Sequence, residues 1–403
     1  MSVISVATLA IALAQQGDLW SQTVGQALNQ PLWRDYFAYD AGFALLVPLE
    51  SSFNLDEPVR EGQFKAHFDR FLRVNEGELT SNRLSRLQYL YLMSRFVAHA
   101  PADGTRDAAA NRLYYWLQRY WLIDVAPRYG GGSWHGSKVR LQYKLAHPIT
   151  SPSYLTAIID EELYLFAIAA DLRTWEQQTD RTHPYSPTVS SILSIARAVF
   201  QQRGSFRTSG FVFDPGAWTD HPDYLYAGNF ALQAGLSPRP VPDIAADSSH
   251  SCRQAAVLRS LCFAYPESSS ERTFYSRALS ELERQFFGRV LVNPVAWFPS
   301  YRTVNFMDGR NGVYRYGYTT VGDRLGYAPY ELSGTFTLGW WSLLGTARAR
   351  AIYVDQASRW PLTPKVITTY LGPGTTRAQY YLFRQPDCFT NGMREIICQL
   401  AGR

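Results

Sequence analysis

A carboxylate, two hydroxyls, a histidine and an arginine stand close together between Asp243 and Cys262, directly before an apolar run. Asp247 is suited to cap a helix, because its carboxylate can accept hydrogen bonds from the unpaired amides of the first turn. On a helix that begins there, His250 and Arg253 follow at intervals of three residues and share one face with the cap. Such side chains could transfer protons or bind an anion. An ordinary capped helix would show the same pattern.

Four further stretches combine ionisable or amide side chains with aromatic rings. They run from Asp160 to Tyr164, from Trp218 to Asn229, from Asn305 to Tyr316 and from Tyr327 to Trp341. Taken singly, each has a simpler explanation as a solvated helix face, a turn or an aromatic core. Three of these clusters, however, are predicted to begin a helix after a long loop, and a role in the core does not explain that placement.

The residues that we predict to bind a ligand or to do chemistry come from these stretches. The candidate catalytic residues are His250, Tyr330, Asp247, Glu331 and Arg253. The candidate substrate-binding residues are Asp220, His221, Asp223, Tyr224, Asn229, Asn305, Asp308, Asn311, Tyr314 and Tyr316. Tyr330 and Glu331 could reach a ligand from a helix start, because Pro329 suits the first turn of a helix. For Trp340 and Trp341 we favour burial in the core.

The composition is that of a globular protein that is rich in aromatic rings and arginine. The 403 residues are 46% hydrophobic and 18% charged, and 15% are aromatic. So many rings either fill a core or line a groove for flat ligands such as sugars. The net charge is +5, and nearly all cations are arginines, which suit planar contacts to carboxylate or phosphate. No basic block, zinc knuckle or helix-turn-helix signal is present, so we expect no nucleic-acid partner.

The N-terminus predicts export. Val3 to Ala14 is an apolar run that ends in a small-x-small cleavage pattern, so residues 1–14 are interpreted as a signal peptide. A short helix of the mature fold is the alternative, and the run is too short to cross a membrane. A secreted or periplasmic location would allow Cys388 and Cys398 to form a disulfide. Cys252 and Cys262 are ten residues apart on one predicted helix and are expected to be buried thiols.

Hydrophobic periodicity predicts ten to twelve helices with long loops between them. The predicted helices are Leu19 to Leu32, Leu84 to Phe96, Thr105 to Ile123, Tyr154 to Gln178, Pro187 to Arg203, Leu225 to Ala234, Asp247 to Phe263, Glu267 to Phe287, Ala328 to Leu344 and Arg348 to Trp360. Loops are predicted at Pro48 to Gly62 and, with a hairpin, at Pro127 to Pro152. Val366 to Leu371 and Gln379 to Arg384 could pair as strands. The fold is therefore predicted to be mainly α, as a barrel of two concentric helical rings.

One superfamily combines these features. An aromatic-rich chain of about a dozen helices, with DSSHSCR opening a helix, an Asn/Gly/Tyr loop and a YAPYE helix start, resembles the six-hairpin (α/α) toroid superfamily of polysaccharide lyases and glycoside hydrolases. The resemblance covers Leu84 to Leu344 in organisation and transfers no catalytic role residue by residue. It implies a single toroid domain over residues 15–403, in which 361–403 could form a small C-terminal extension. It also implies that a polysaccharide lies in a groove across the toroid, and we expect a monomer.

Two mechanisms compete for such a site. A lyase that acts on an acidic sugar must neutralise the sugar carboxylate, abstract the adjacent proton and protonate the leaving oxygen. Candidates for these tasks are Arg253, Asn229 or Asn311, His250, and Tyr330 or Tyr316. A hydrolase needs two carboxyl groups across the bond, and Asp247, Asp220, Asp223, Asp308 and Glu331 could provide them. The arginine excess favours the lyase.

A third interpretation is a glycan-binding or assembly protein without catalysis. The sequence carries no cofactor motif, and no pair of cysteines has the CxxC spacing of a zinc site. Clusters of aspartate and asparagine could coordinate a divalent cation such as calcium, although no stretch has the spaced acids of a calcium loop. We therefore expect no cofactor and leave a divalent cation open.

Overall fold

Helices form most of the structure, as the sequence predicts. The computed structural model describes residues 19–35, 37–127, 132–318, 322, 325–373 and 386–403. Its α-helices are α1 Val24–Leu28, α2 Phe37–Asn54, α3 Pro58–Leu72, α4 Arg83–His99, α5 Gly104–Gln118, α6 Ser137–Ala146, α7 Asp160–Thr179, α8 Ser186–Arg203, α9 Ser248–Ser251, α10 Arg253–Phe263, α11 Ser270–Gln285, α12 Ala347–Ala357, α13 Pro364–Leu371 and α14 Met393–Ala401. The mainly α fold is confirmed, whereas the ring of hairpins stays a prediction.

Strands in the described residues pair as three short antiparallel hairpins. They are β1 Val125–Pro127 with β2 Ser133–His135, β3 Gly204–Arg207 with β4 Gly210–Phe213, and β5 Leu291–Val292 with β6 Arg302–Thr303. In the first hairpin Ala126 lies opposite Trp134, and in the second Phe206 lies opposite Phe211. The hairpin predicted after Pro127 is thus present, but it begins at Val125, and helix α6 occupies much of the loop predicted there.

Helix α4 lies at the centre of the core. It begins after Asn82, whose side chain accepts a hydrogen bond from the amide of Ser85 at 2.9 Å. Its apolar side chains are buried around the whole circumference, which is typical of a helix enclosed by others. Helices α2 and α7 both pack against it, and α7 in turn packs against α10.

Many of the aromatic rings fill the core and do not line a groove. Trp340 is fully buried, and its indole N–H donates to the carbonyl of Phe43 at 3.0 Å. Trp341 stacks on Phe286 with ring centroids 4.1 Å apart. The predicted burial of the two tryptophans is confirmed, so the aromatic content is in large part a packing feature.

Several predicted elements are wrong, and each error has a local cause. Pro48 lies inside α2, so the predicted loop from Pro48 to Gly62 shrinks to residues 55–57. Leu225 to Ala234 forms turns, because its backbone bonds to another loop: the amide of Arg239 donates to the carbonyl of Leu225, and that of Gly228 to Arg239. Ala328 to Leu344 forms turns and the 3₁₀ segments Ser333–Leu338 and Trp340–Leu344.

Two further helix predictions differ from the structure in their bounds. The predicted helix from Tyr154 begins at Asp160, after a 3₁₀ turn at Ser153–Leu155. In the predicted helix from Leu19 to Leu32, residues 19–22 and α1 are helical. The helix is interrupted at Thr23, and turns follow from Asn29.

The C-terminal segment is helical where the structure describes it. Val366 to Leu371 belongs to α13, whose cap Thr363 accepts from the amide of Val366, so the predicted strand there is wrong. Gln379 to Arg384 and the predicted signal peptide at residues 1–14 lie outside the described residues. Helix α14 packs against α2 and α12 and adds its buried face to the main core.

All four cysteines are buried and none forms a disulfide, so the bond that an oxidising compartment would allow between Cys388 and Cys398 is absent. The two belong to different packing clusters: Cys388 lies with Phe298 and Tyr370, whereas Cys398 lies in the main core. Cys252 and Cys262 are buried thiols, as predicted. None of the described helices is both long and apolar enough to cross a membrane.

A buried ion-pair network joins α4 to α2 and α7. The guanidinium of Arg95 donates to the carboxylates of Glu50 and Asp171, and all three side chains are at least 95% buried. His99 adds a contact to Glu50 at 3.0 Å. Burial alone would raise the pKa of Glu50, but the charges of Arg95 and His99 hold it well below its ordinary value. The network therefore holds groups of opposite charge together in the core, although burial raises the pKa of its second carboxyl group, Asp171.

We expect Arg95→Met to lower the free energy of unfolding by about 3–5 kcal/mol, because it leaves buried carboxylates without their charge partner. Equilibrium denaturation in urea measures the change. Arg181→Met is the matched control, since Arg181 is 60% exposed and pairs with Asp107 at the surface. Its loss should cost less than about 1 kcal/mol. Equal losses in the two variants would contradict the role given to the network.

Candidate functional site

A cavity of about 240 Å³ lies where several helices begin. Its lining includes Leu84 in the first turn of α4, Asp160, which is the first residue of α7, and Asp247, which caps α9. Of the predicted site residues, the cavity brings together Asp247, His250, His221, Asp223, Tyr224 and Tyr314. It adds Asp214, Trp218, Ser251, Gln254 and Arg315, which were not among the predicted site residues.

Asp247 is the most extensively bonded side chain of the site. It is 1% exposed and caps α9 by accepting from the amides of Ser249 and His250, both at 3.1 Å. The hydroxyls of Ser249 and Tyr224 also donate to it, the latter at 2.8 Å. Burial alone would raise the pKa of Asp247, but the charge and hydrogen bond of His250 and the Ser249 hydroxyl bring it well below its ordinary value. Asp247 is therefore a fixed carboxylate.

His250 is oriented by this carboxylate. Its Nδ1 lies 2.8 Å and 2.9 Å from the two oxygens of Asp247, so the Nδ1–H donates to Asp247. In the neutral ring the lone pair is then on Nε2. The side chain is 34% exposed and lines the cavity, so a ligand can reach it. This pair can remove a proton from a bound molecule, because the carboxylate stabilises the imidazolium that forms.

Asp214 is a second buried carboxyl group in the lining. It follows β4 directly, with a φ of 48° that non-glycine residues rarely adopt. Its oxygens accept from the amide of Ile158 at 2.8 Å and from Arg203 at 3.3 Å. Burial raises the pKa of Asp214 to about 6, against the opposing charge of Arg203. The turn signal Asp214-Pro215-Gly216 after a strand could have identified it.

His221, Asp223 and Arg315 form a third group in the lining. The Nδ1 of His221 accepts from the amide of Asp223 at 3.1 Å, and Arg315 Nε donates to Asp223 Oδ2 at 2.7 Å. Burial lowers the pKa of His221, and the charge of Asp223 opposes this only in part. Arg315 has a φ of 55° and remains 26% exposed, so it can contact a ligand.

Arg253, predicted to be catalytic, lies outside the lining. It is 1% exposed, donates to Asp160 at 2.6 Å and lies over the ring of Phe43. Its ion pair with Asp160 therefore joins α10 to α7 and fixes the position of the Asp160 carboxylate. The first residue of α7, and not the arginine, reaches the cavity.

Tyr330, Glu331 and Asn311 also lie outside the lining. Glu331 accepts from the amide of Ala328 at 2.7 Å. Asn311 accepts from the amides of Tyr330 and Asn305, and Tyr330 packs on the guanidinium of Arg302. These contacts fix the turn at residues 327–331. No α-helix begins there, so the helix start that would have aimed these residues at a ligand does not form.

The other predicted binding residues hold loops together. Asp220 accepts from the amide and hydroxyl of Ser153. Asn229 and Asn305 donate to backbone carbonyls, and Asp308 accepts from Arg310 and from the amide of Ala245. The hydroxyl of Tyr316 accepts from the amide of Gly235. Amide and carboxylate side chains in a long loop thus serve its own backbone as often as a ligand.

Comparisons of the chain with models of known protein families, with curated proteins and with solved structures find no match. Among the described residues, no group of three or more histidine, cysteine, aspartate or glutamate side chains is placed to hold a metal ion.

We expect Asp214→Asn to change how stability depends on pH. The pKa of Asp214, about 6, lies above its ordinary value of 3.8, so the folded protein binds this proton more tightly than the unfolded chain does. Wild-type stability should therefore fall as the pH rises through that interval, relative to the variant, by roughly 3 kcal/mol. Urea denaturation between about pH 4 and about pH 7 measures the difference. Asp107→Asn at the surface is the control, and a pH-independent difference for Asp214→Asn would contradict the assignment.

Proposed function

We propose that this protein is a carbohydrate-active enzyme that cleaves glycosidic bonds by proton transfer, with His250 as the base. The observation that carries the proposal is the Asp247–His250 pair, in which Nδ1 is held by the carboxylate and the ring is exposed in the cavity. Asp247 already accepts from two amides and two hydroxyls. It is therefore suited to orient the histidine and poorly suited to attack a sugar carbon itself.

Aromatic groups in the lining support a sugar as the ligand. Trp218 stacks on Tyr224 with ring centroids 5.7 Å apart and planes 17° apart, beside the carboxylates and histidines. A flat apolar face next to hydrogen-bonding groups suits the two surfaces of a pyranose ring. Export of the chain, which the N-terminal sequence predicts, would fit a polysaccharide substrate.

Within this proposal, β-elimination of an acidic polysaccharide is the favoured reaction. His250 Nε2 would take the proton from the carbon next to the sugar carboxylate, and the electron pair would form the double bond as the glycosidic oxygen leaves. Arg315 replaces Arg253 as the group that binds the sugar carboxylate, because it is partly exposed in the cavity and its Nη groups have no acceptor among the described residues. Asp214 would protonate the leaving oxygen, since its pKa of about 6 leaves part of it protonated near neutral pH.

Hydrolysis is the second candidate, and one observation favours it. Four carboxylates line the cavity, namely Asp160, Asp214, Asp223 and Asp247, and the pKa values of Asp214 and Asp247 are shifted in opposite directions. Two carboxyl groups with separated pKa values are what an acid–base hydrolase requires. In that case Asp214 would be the acid, and Asp247, acting through His250, would activate water. A glycan-binding protein without catalysis is the third candidate.

We expect His250→Gln to lower the initial rate of glycan cleavage by roughly 10²- to 10⁴-fold, because it removes the base. The assay incubates the protein with acidic polysaccharides and records both ultraviolet absorbance and reducing ends. His147→Gln is the control, since His147 is exposed and bonds to the carbonyl of Tyr143. An undiminished rate in His250→Gln would refute the proposed base.

The same assay separates the three candidates. Elimination yields an unsaturated product that absorbs in the ultraviolet, whereas hydrolysis yields reducing ends without that absorbance. Saturable binding of a glycan without either product would support the non-catalytic candidate.

Arg315→Gln tests the sugar carboxylate as a recognition element. We expect it to raise KM about tenfold or more for an acidic polymer, because a charge-assisted hydrogen bond is lost, and to have little effect on the same polymer with esterified carboxylates. Steady-state kinetics on the two polymers measure the ratio. An equal change on both would assign Arg315 to positioning Asp223 and would favour hydrolysis.

A further inference from the structure

A second cavity, of about 310 Å³, lies toward the other end of helix α4 from the candidate functional site. Leu84, in the first turn of α4, lines the first cavity. Glu50 lines the second and contacts Arg95, near the end of α4. The helical rise places roughly 15 Å between Leu84 and Arg95. The second cavity is therefore separate from the Asp247–His250 pair.

Positive charge exceeds negative charge in the second cavity. Its lining contains Arg259, Arg350 and Arg403, with Glu50 as the single carboxylate side chain among the described lining residues. Glu50 is paired with Arg95 and His99, and the charge of Arg259 also acts on it. Arg403 lies 3.6 Å from Glu57, so the positive excess falls mainly on the other two arginines.

Two buried donors in this lining have no acceptor among the described residues. One is Nε of Arg259, and the other is the hydroxyl of Ser51, whose residue is 7% exposed. By contrast, the hydroxyl of the neighbouring Ser52 donates to the carbonyl of Pro48 at 2.8 Å, which is the hydrogen bond that a serine within a helix commonly forms. An acceptor bound in the cavity would satisfy both donors, whereas the buried Oε2 of Glu50, which also lacks a hydrogen bond, faces His99 at 3.0 Å.

The backbone at Gly345 brings the two arginines to one place. Gly345 has a φ of 79°, and a Cβ built there would lie 3.1 Å from Nη1 of Arg259. Arg350 Nη1 donates to the Gly345 carbonyl at 3.2 Å. The turn thus places both guanidinium groups at the same side of the cavity, where a residue with a side chain would crowd Arg259.

We propose that this cavity binds a small oxyanion of the phosphate class. Arg259 and Ser51 would donate hydrogen bonds to it, and Arg350 would add positive charge. A volume of about 310 Å³ is at the lower end for small-molecule pockets, which suits a compact phosphate-bearing ligand. The proposal is independent of the glycan chemistry at the first cavity.

Isothermal titration of the full chain with inorganic phosphate, at constant ionic strength set with sodium chloride, tests the site. We expect saturable binding by the wild type and an affinity about tenfold or more lower in Arg259→Gln, because charged hydrogen bonds are lost. Ser51→Ala should weaken binding several-fold, as a neutral donor does. Arg181→Gln at the surface should leave the affinity unchanged.

Two results would overturn the proposal: no saturable binding by the wild type, or variants at Arg259 and Ser51 that bind as tightly as the wild type. Circular dichroism establishes that each variant is folded. If Arg259→Gln does not fold, the phosphate affinity of Ser51→Ala is the test. This variant removes a hydroxyl that has no partner among the described residues, and α2 should tolerate alanine at this position.

Discussion

Buried charges must be paired, and this constraint organises the helical scaffold. Arginine–carboxylate pairs join different elements of the fold: Arg95 with Glu50 and Asp171, Arg140 with Glu162, Arg253 with Asp160, and Arg203 with Asp214. In a low-dielectric interior each charge is acceptable only beside its partner, so the pairs fix how neighbouring helices meet. Part of the arginine excess that the composition suggests for an anionic ligand is therefore used inside the protein.

The same constraint shapes the candidate functional site. Three carboxylates of the cavity, those of Asp160, Asp214 and Asp223, each form an ion pair with an arginine. The fourth, Asp247, contacts His250 and caps a helix. The carboxylate of Asp247 both caps the helix and orients the histidine, because it accepts hydrogen bonds from the backbone amides and from the imidazole. Local stability and proton-transfer geometry are in this way inseparable at Asp247.

Sequence reasoning succeeded where the determining interactions are local. Asp247 and His250 are three residues apart, so a helix cap predicts their contact, and α4, α5, α8 and α11 follow from the periodicity of apolar residues. It failed where partners are distant in sequence. The pairing of Asp214 with Arg203 and the amide of Ile158, and the placement of Arg315 against Asp223, depend on tertiary contacts. Proline usually ends helices, so the sequence predicts a loop at Pro48, yet Pro48 is buried within α2.

Asp214 and Arg315 adopt left-handed backbone angles that a glycine would adopt without strain. At both positions a side chain that lines the cavity is kept at an energetic cost to the backbone. Selection for stability alone and selection for the chemistry of the cavity would thus favour different residues at these two sites. If evolution of the fold, natural or in the laboratory, retains aspartate and arginine at these positions, selection for the chemistry prevails. If it replaces them with glycine, selection for stability prevails.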